Sequence, residues 1–106
     1  MNQVALVTGA SSGIGKELAR IHASNGGDLI IVARREEALE ELKKELESQF
    51  QVDVKCIAMD LTDRAAPRKL FEKIEADRIE VEYLMNNAGF GGMADFMNAN
   101  GRKTKR

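Results

Sequence analysis

Short apolar runs alternate with amphipathic stretches along this chain. The first run, residues 4–7, is apolar throughout and is typical of a buried strand. Ile14, Leu18 and Ile21 follow at positions i, i+4 and i+7, so they form the apolar face of a predicted helix. The dipeptide Gly26-Gly27 comes next, and glycine is typical just past the end of a helix. The pattern therefore predicts a strand followed by a helix.

The same alternation continues to about residue 89. It predicts strands over residues 29–32, 52–59 and 81–85, a helix with Leu39, Leu42 and Leu46 on its apolar face, and a helix with Leu70, Phe71 and Ile74 on its buried face. We expect Thr62 or Asp63 to cap the last helix, with Pro67 in its first turn. The run at residues 29–32 is apolar on both faces, which suits a parallel sheet covered by helices.

Strands that alternate with helices predict right-handed crossovers in one parallel sheet. We expect about four strands in the spatial order 3-2-1-4, with a crevice between strands 1 and 4 where the order reverses. The glycine-rich turn at residues 8–15 ends strand 1, and residues 86–89 end strand 4. Both segments are therefore predicted to lie at the same edge of the sheet. We interpret residues 1–106 as a single, partial domain, since this length suits one domain and not two.

Composition and charge narrow the function classes. A net charge of -1 gives no electrostatic case for binding nucleic acid, and the basic residues 102–106 are interpreted as a solvated tail. No apolar run approaches the roughly 20 residues that a membrane span needs, and no signal peptide is evident. Cys56 and His22 are the only residues of their types, so we expect no metal site and no internal disulfide. These features favour a cytoplasmic location.

The turn after strand 1 has the residues that a diphosphate requires. Gly9 and Gly13 allow a tight turn, and Gly15 lets the following helix pack close to the strand. The helix that begins near Gly13 presents free N–H groups and a partial positive charge. Ser11 and Ser12 add hydroxyl donors. Because the turn follows an apolar strand and opens a helix, it predicts a dinucleotide site.

The turn has two other possible interpretations. A P-loop is disfavoured, because Ala10 stands where its first glycine should be and Glu17 replaces the hydroxyl that would hold magnesium. A turn whose glycines serve only the geometry of the chain remains the second alternative.

The end of strand 2 predicts which cofactor is bound. NAD-binding sheets place a carboxylate there, whereas this chain has Ala33 followed by Arg34 and Arg35. We assign a 2′-phosphate contact to Arg34 and interpret Arg35 as an exposed residue at the start of a helix. NADP(H) is therefore favoured over NAD(H), although residues 36 and 37 are glutamates that partly neutralise the pair. Asp60, after strand 3, either bonds an adenine amino group or is an ordinary turn residue.

These motifs together resemble the short-chain dehydrogenase/reductase family over roughly residues 3–97. Thr8-Gly9-Ala10-Ser11-Ser12-Gly13-Ile14-Gly15 resembles its TGxxxGxG cofactor motif, and Asn86-Asn87-Ala88-Gly89 is identical to its NNAG motif. Asp60-Leu61 resembles its adenine-contacting pair, and Ala33-Arg34-Arg35 resembles the turn of NADP-preferring members. The resemblance implies a Rossmann-type three-layer α/β sandwich and an oxidoreductase that acts on carbonyl or alcohol groups.

The residues and the resemblance together define a predicted cofactor site. The resemblance implies that the turn surrounds the diphosphate, that Asp60 and the backbone of Leu61 contact adenine, and that residues 87–89 lie near the riboses. The predicted cofactor-binding residues are Gly9, Ala10, Ser11, Ser12, Gly13, Ile14, Gly15, Arg34, Asp60, Leu61, Asn87, Ala88 and Gly89.

The resemblance also implies catalytic residues that this sequence does not contain. Family members use a Ser and a Tyr followed four positions later by Lys. The only tyrosine here is Tyr83, with Asn87 four positions on, so Tyr83 is interpreted as sheet packing. We expect the chain to be a truncated N-terminal half that binds cofactor without catalysis. Two alternatives stay open, namely a stand-alone nucleotide-binding module and a piece that completes its fold with another chain.

A truncated sheet would expose strand 4 at its edge. Exposed edge strands tend to pair with further copies. We therefore expect self-association through that edge or by exchange of residues 90–106.

Overall fold

A computed structural model of the chain describes residues 1–87. Strands and helices alternate through this part as the sequence predicts. The elements are β1 (Val4–Thr8), α1 (Gly13–Ser24), β2 (Leu29–Ala33), α2 (Glu36–Phe50), β3 (Val54–Ala58), α3 (Ala66–Ala76) and β4 (Val81–Asn86).

The four strands form one parallel sheet in the order β3-β2-β1-β4. The predicted α/β fold class and strand order are therefore confirmed. Thr8 at the end of β1 is in register with Val32 of β2 and with Asn86 of β4. Because parallel strands end at the same edge, the turn after β1 and the residues after β4 lie side by side, at the point where the strand order reverses.

Helices cover both faces of the sheet. One apolar cluster lies between the sheet and the layer of α1 and α2, and it includes Val7, Ile31 and Leu42. A second cluster lies between the opposite face and α3, and it includes Leu6, Val32 and Leu70. β1 and β2 are buried along their whole length, which explains why their sequences are apolar on both faces.

The face that α1 buries differs from its predicted apolar face. The buried residues of the helix are Gly15, Ala19 and Ala23, whereas Ile14 is 70% exposed and Ile21 is 57% exposed. A Cβ added at Gly15 would overlap the backbone of the preceding turn, so the helix packs closely through its smallest residues. The larger apolar side chains are therefore directed away from the sheet.

The start of α3 also differs from the prediction. The helix begins at Ala66 with Ala65 as its N-cap, and no side chain caps it. The expected cap at Thr62 or Asp63 is therefore wrong, because both residues hold the turn that precedes the helix. The Asp63 carboxylate accepts a hydrogen bond from the Ala65 N–H at 2.9 Å. Pro67 lies in the first turn, as expected.

Within residues 1–87, no helix has the length and apolar character needed to cross a bilayer. Within the same range, no group of three or more His, Cys, Asp or Glu side chains could hold a metal ion.

Candidate functional site

The turn after β1 depends on glycine at two positions. Gly9 has a φ of 66°, in the left-handed region that favours glycine. Its carbonyl oxygen accepts the Ser12 N–H at 3.2 Å. A Cβ at Gly15 would overlap that same carbonyl oxygen. The two glycines therefore bring the start of α1 directly against the end of β1.

Gly13 differs from these two glycines, because a Cβ added there would meet nothing within 4 Å. The position faces open space at the start of α1. The first hydrogen bond of the helix runs from the Lys16 N–H to the Ser12 carbonyl at 2.8 Å. Ser12 is the N-cap, but its side chain makes no capping hydrogen bond to the helix. The N–H groups of residues 13–15 thus precede the helical ladder, and such groups bind anions readily.

A hydrogen-bond network joins this turn to the end of β4. The Asn87 amide nitrogen Nδ2 donates to the Gly9 carbonyl oxygen at 3.3 Å and to Ser12 Oγ at 3.0 Å. Ser12 Oγ itself donates to the Gly9 carbonyl at 2.8 Å. The Ser12 hydroxyl was expected to donate to a diphosphate, whereas here its proton serves the turn. This hydroxyl therefore stabilises the conformation of the turn.

Thr8 and Asn86 form a second link between β1 and β4, which the sequence analysis missed. Thr8 Oγ1 donates to Asn86 Oδ1 at 2.9 Å. Thr8 is fully buried although it is polar. Threonine at the end of a wholly buried strand, paired with an asparagine at the end of another, is the signal that could have revealed this contact.

A crevice of about 290 Å³ lies between α1 and β4. Its lining residues are Ile14, Leu18, Met85, Asn86 and Asn87. The walls are apolar and the two asparagine amides supply the polar groups. It lies near the point where the strand order reverses, and an apolar pocket with a few polar groups is typical of a cofactor site.

Arg34 and Asp60 lie at the same sheet edge, beyond β2 and β3. The two strand ends are joined by a hydrogen bond from the Met59 N–H to the Ala33 carbonyl at 2.9 Å. Hydrogen bonds from Thr62 lower the pKa of the Asp60 carboxyl, and attraction to Arg34 lowers it further. Asp60 is therefore ionised at neutral pH, beside an exposed guanidinium.

Leu61 packs its half-buried side chain against the cluster under α3. Its backbone is thus the part that can face a ligand. Ala88 and Gly89 lie outside the described residues. The other predicted cofactor-binding residues lie at one edge of the sheet, and their contact with a cofactor stays a prediction.

A larger open groove of about 780 Å³ lies along α2. Its lining residues are Arg35, Glu36, Glu37, Glu40, Glu41 and Lys44. Four carboxylates in the groove repel phosphate, so it is a poor site for a nucleotide. Arg35 belongs to this groove and is exposed at the N-cap of α2, as predicted. The two adjacent arginines therefore have different surroundings.

Tyr83 and Cys56 lie within the sheet. The Tyr83 ring packs edge-on against the His22 ring, with centroids 5.7 Å apart, and contacts the apolar cluster under α1 and α2. This position agrees with a packing role. Cys56 is half-buried, and burial raises the pKa of its thiol to about 11. Such a thiol is protonated at neutral pH and is a poor nucleophile.

Comparison with known proteins places this geometry in a family. A family model described as short chain dehydrogenase matches residues 3–106. The very-long-chain 3-oxoacyl-CoA reductase of Kluyveromyces lactis is 42% identical over 85 residues, which cover 80% of this chain and 25% of that protein. The fatty acyl-CoA reductase of Acinetobacter baylyi is 44% identical over 87 residues, which cover 82% of this chain and 29% of that protein.

Solved structures show the same arrangement. L-sorbose reductase from Gluconobacter frateurii, complexed with NADPH and L-sorbose, superposes with a TM-score of 0.77 at 33% identity, covering 86% of this chain and 35% of that chain. A short-chain dehydrogenase from Sphingobium yanoikuyae, in complex with NADPH, gives a TM-score of 0.73 at 37% identity, covering 81% and 33% of the two chains. The chain thus spans about a quarter to a third of the length of these relatives.

Proposed function

The chain belongs to the short-chain dehydrogenase family, and from this we propose that it is the NADP(H)-binding part of an oxidoreductase acting on carbonyl or alcohol groups. Members of this family are oxidoreductases that bind nicotinamide cofactors. The observation that carries the proposal is the turn after β1, where the N–H groups of residues 13–15 precede the helical ladder and a Cβ at Gly13 would meet nothing within 4 Å. The fixed position of this turn against Asn87 supports a preformed diphosphate site.

The preference for NADP(H) over NAD(H) rests on Arg34. No carboxylate follows β2 that would repel a 2′-phosphate, and the nearest glutamates, at 36 and 37, line the separate groove along α2. A guanidinium pairs well with a phosphate. Two of the solved relatives are complexed with NADPH, which supports the same preference.

The residues of this chain would bind and orient the cofactor, whose nicotinamide ring carries the hydride when bound. The amides at residues 13–15 would hold the diphosphate, and the crevice at Ile14 and Met85 would receive the nicotinamide side. We propose that the 106 residues alone bind cofactor without turnover, because Tyr83 packs inside the sheet and no Tyr-x-x-x-Lys sequence occurs. The alternative is a stand-alone nucleotide-binding or interaction module.

Calorimetric titration of the chain with NADPH, NADH and 2′-phospho-ADP-ribose tests the cofactor assignment. We expect NADPH to bind roughly tenfold more tightly than NADH, since a charge-assisted phosphate contact is worth about 1.5 kcal/mol or more. Arg34→Ala should remove this preference. Arg35→Ala is the matched control and should keep it. Equal affinity of the wild-type chain for NADPH and NADH would refute the role of Arg34.

The coding DNA beyond codon 106 distinguishes the two functional alternatives. An in-frame continuation that encodes a Tyr-x-x-x-Lys segment supports the oxidoreductase half. A stop codon followed by unrelated sequence supports the stand-alone module.

Self-association and a cytoplasmic location complete the proposal. The position of β4 at the edge of the described sheet supports contact between copies. We expect the weight-average mass in sedimentation equilibrium to rise with concentration. A single monomeric species at high concentration would contradict this.

Fractionation of cells that express the tagged chain tests its cytoplasmic location. Recovery of the chain with membranes would contradict that location.

A further inference from the structure

The Asp60 carboxylate is fixed by a single neighbouring residue. The Thr62 backbone N–H donates to Asp60 Oδ1 at 2.9 Å, and the Thr62 hydroxyl Oγ1 donates to the same oxygen at 2.7 Å. Both residues are exposed. Two donors on one oxygen of an exposed side chain restrict the rotation of that side chain, which otherwise has free choice of rotamer.

These bonds do not serve the helix that follows. α3 begins at Ala66 without a side-chain cap, and Asp63 supplies the carboxylate that holds the turn at Ala65. The Asp60–Thr62 pair is one turn further from the helix, at the edge of the sheet where β3 ends. Its geometry is therefore not explained by capping.

The arrangement leaves the second carboxylate oxygen for a ligand. A carboxylate accepts hydrogen bonds on both oxygens, and Thr62 occupies sites on Oδ1. A donor such as the 6-amino group of adenine would then meet Oδ2 on a side chain that is already oriented. Pre-orientation lowers the entropy lost on binding.

We propose that Thr62 is a positioning residue for adenine, which holds Asp60 so that the carboxylate accepts the 6-amino group. This inference rests on the proposed function, because it assumes that the adenine side of the cofactor lies at Asp60. Thr62 itself would touch no ligand and would act only through Asp60.

The pKa of the Asp60 carboxyl reports on its contact with Thr62. Hydrogen bonds from Thr62 lower the pKa of the Asp60 carboxyl, and attraction to Arg34, from the end of β2, lowers it further, whereas Asp63, from its own turn, raises it. Thr62→Val keeps the backbone donor and removes the hydroxyl donor. The pKa of Asp60 should then rise toward its ordinary value, and Thr62→Ser should restore the wild-type behaviour.

The experiment compares NADP⁺ with its hypoxanthine analogue, in which an oxo group replaces the 6-amino group of adenine. We expect the wild-type chain to bind NADP⁺ roughly five- to tenfold more tightly than the analogue, as for a hydrogen bond to a charged acceptor. In Thr62→Val this ratio should fall to roughly twofold, and in Thr62→Ser it should stay near the wild-type ratio. Carbon-13 NMR titration of the Asp60 carboxyl in each protein, without ligand, gives the shift in pKa.

Ser48→Ala is the control variant, since it removes one exposed hydroxyl hydrogen bond on α2, to the Glu45 carbonyl. It should change neither the ratio nor the Asp60 pKa. If the wild-type chain discriminates and Thr62→Val discriminates equally, with an unchanged Asp60 pKa, the role of Thr62 is refuted while the proposed function stands. If the wild-type chain binds neither dinucleotide, the proposed function fails and this inference fails with it.

Discussion

Glycines 13 and 15 stand two residues apart and have different physical roles. Gly15 is required by the fold, because a Cβ there would overlap the Gly9 carbonyl oxygen. Gly13 faces open space, so its lack of a side chain matters only when a ligand approaches the helix start. Under the proposed function, the same motif therefore combines one residue needed for folding with one needed for binding.

Alanine substitutions separate these two roles. Gly15→Ala should lower the free energy of unfolding by about 1–3 kcal/mol, the usual cost of forcing an atom into a packed site. Gly13→Ala should leave stability within about 0.5 kcal/mol, since a surface substitution meets no obstacle, but it should weaken NADPH binding because the Cβ obstructs the diphosphate. Urea unfolding and calorimetry measure the two effects. Equal destabilisation by both variants would contradict this assignment.

Asn87 connects the turn to β4 through two hydrogen bonds, to Gly9 and to Ser12. Asn87→Ala should reduce the free energy of unfolding by about 1–2 kcal/mol, given about 1 kcal/mol for each bond. It should also weaken NADPH binding, because the turn loses the hydrogen bonds that hold it against the end of β4. Asn25→Ala is a matched control, since Asn25 donates to the Ile21 carbonyl at the opposite end of α1. Weaker binding in the control as well would point to a general effect on α1.

At the scale of elements, α1 has an apolar face of small residues against the sheet and an apolar face of larger residues that is exposed. Ala19→Leu should therefore cost about 1–3 kcal/mol through overpacking, whereas Ile21→Asn should change stability by less than about 1 kcal/mol. Thermal unfolding measures both. A larger loss for Ile21→Asn than for Ala19→Leu would mean that the helix is rotated relative to the described packing.

This helix also shows what the sequence could predict and what it could not. The wholly apolar runs of β1 and β2 and the alternation of elements predicted the strand order, because only parallel strands buried on both faces tolerate such runs. The helical spacing of large apolar residues predicted that Ile14 and Ile21 face the sheet. The close approach of α1 to the sheet instead requires the small residues Gly15 and Ala19 on the other face of the helix. The predicted cap of α3 at Thr62 or Asp63 was wrong for a different reason, because Thr62 donates to Asp60 and Asp63 accepts the Ala65 N–H within the turn before the helix.

The candidate site was predictable where a residue type has one dominant use. Glycines after a buried strand predicted the turn, and the ends of parallel strands placed Asn87 beside it. The bond of Thr62 to Asp60 could not be predicted, because threonine serves many roles and its partner depends on the conformation of the turn.

At the scale of the whole molecule, an ion pair between two helices contributes to the dependence of stability on pH. Arg20 of α1 bonds Glu45 of α2 at 2.6 Å and 3.1 Å, and this contact lowers the pKa of the Glu45 carboxyl. A lowered folded-state pKa means that the stabilisation is complete above the ordinary pKa of glutamate, about 4.3, and is lost as pH falls through the folded value.

Glu45→Gln should accordingly be less stable than the wild-type chain at pH 7, by less than about 1 kcal/mol for a pair this exposed. The difference should shrink as pH falls below about 4, because the wild-type carboxylate becomes protonated. Urea unfolding at pH 7, 5, 4 and 3.5 measures the difference. A difference that does not depend on pH would show that the side chain acts through packing and not through its charge.

We propose that the turn after β1, together with the ends of β3 and β4, forms one nucleotide-binding edge. Titration of the isotope-labelled chain with NADPH, followed through its backbone amide resonances, tests this most directly. We expect the largest shifts at residues 12–15, at residues 60–62 and at Asn87, with little change along α2. Largest shifts in the groove lined by Glu37 and Lys44, or no shifts at saturating NADPH, would contradict it.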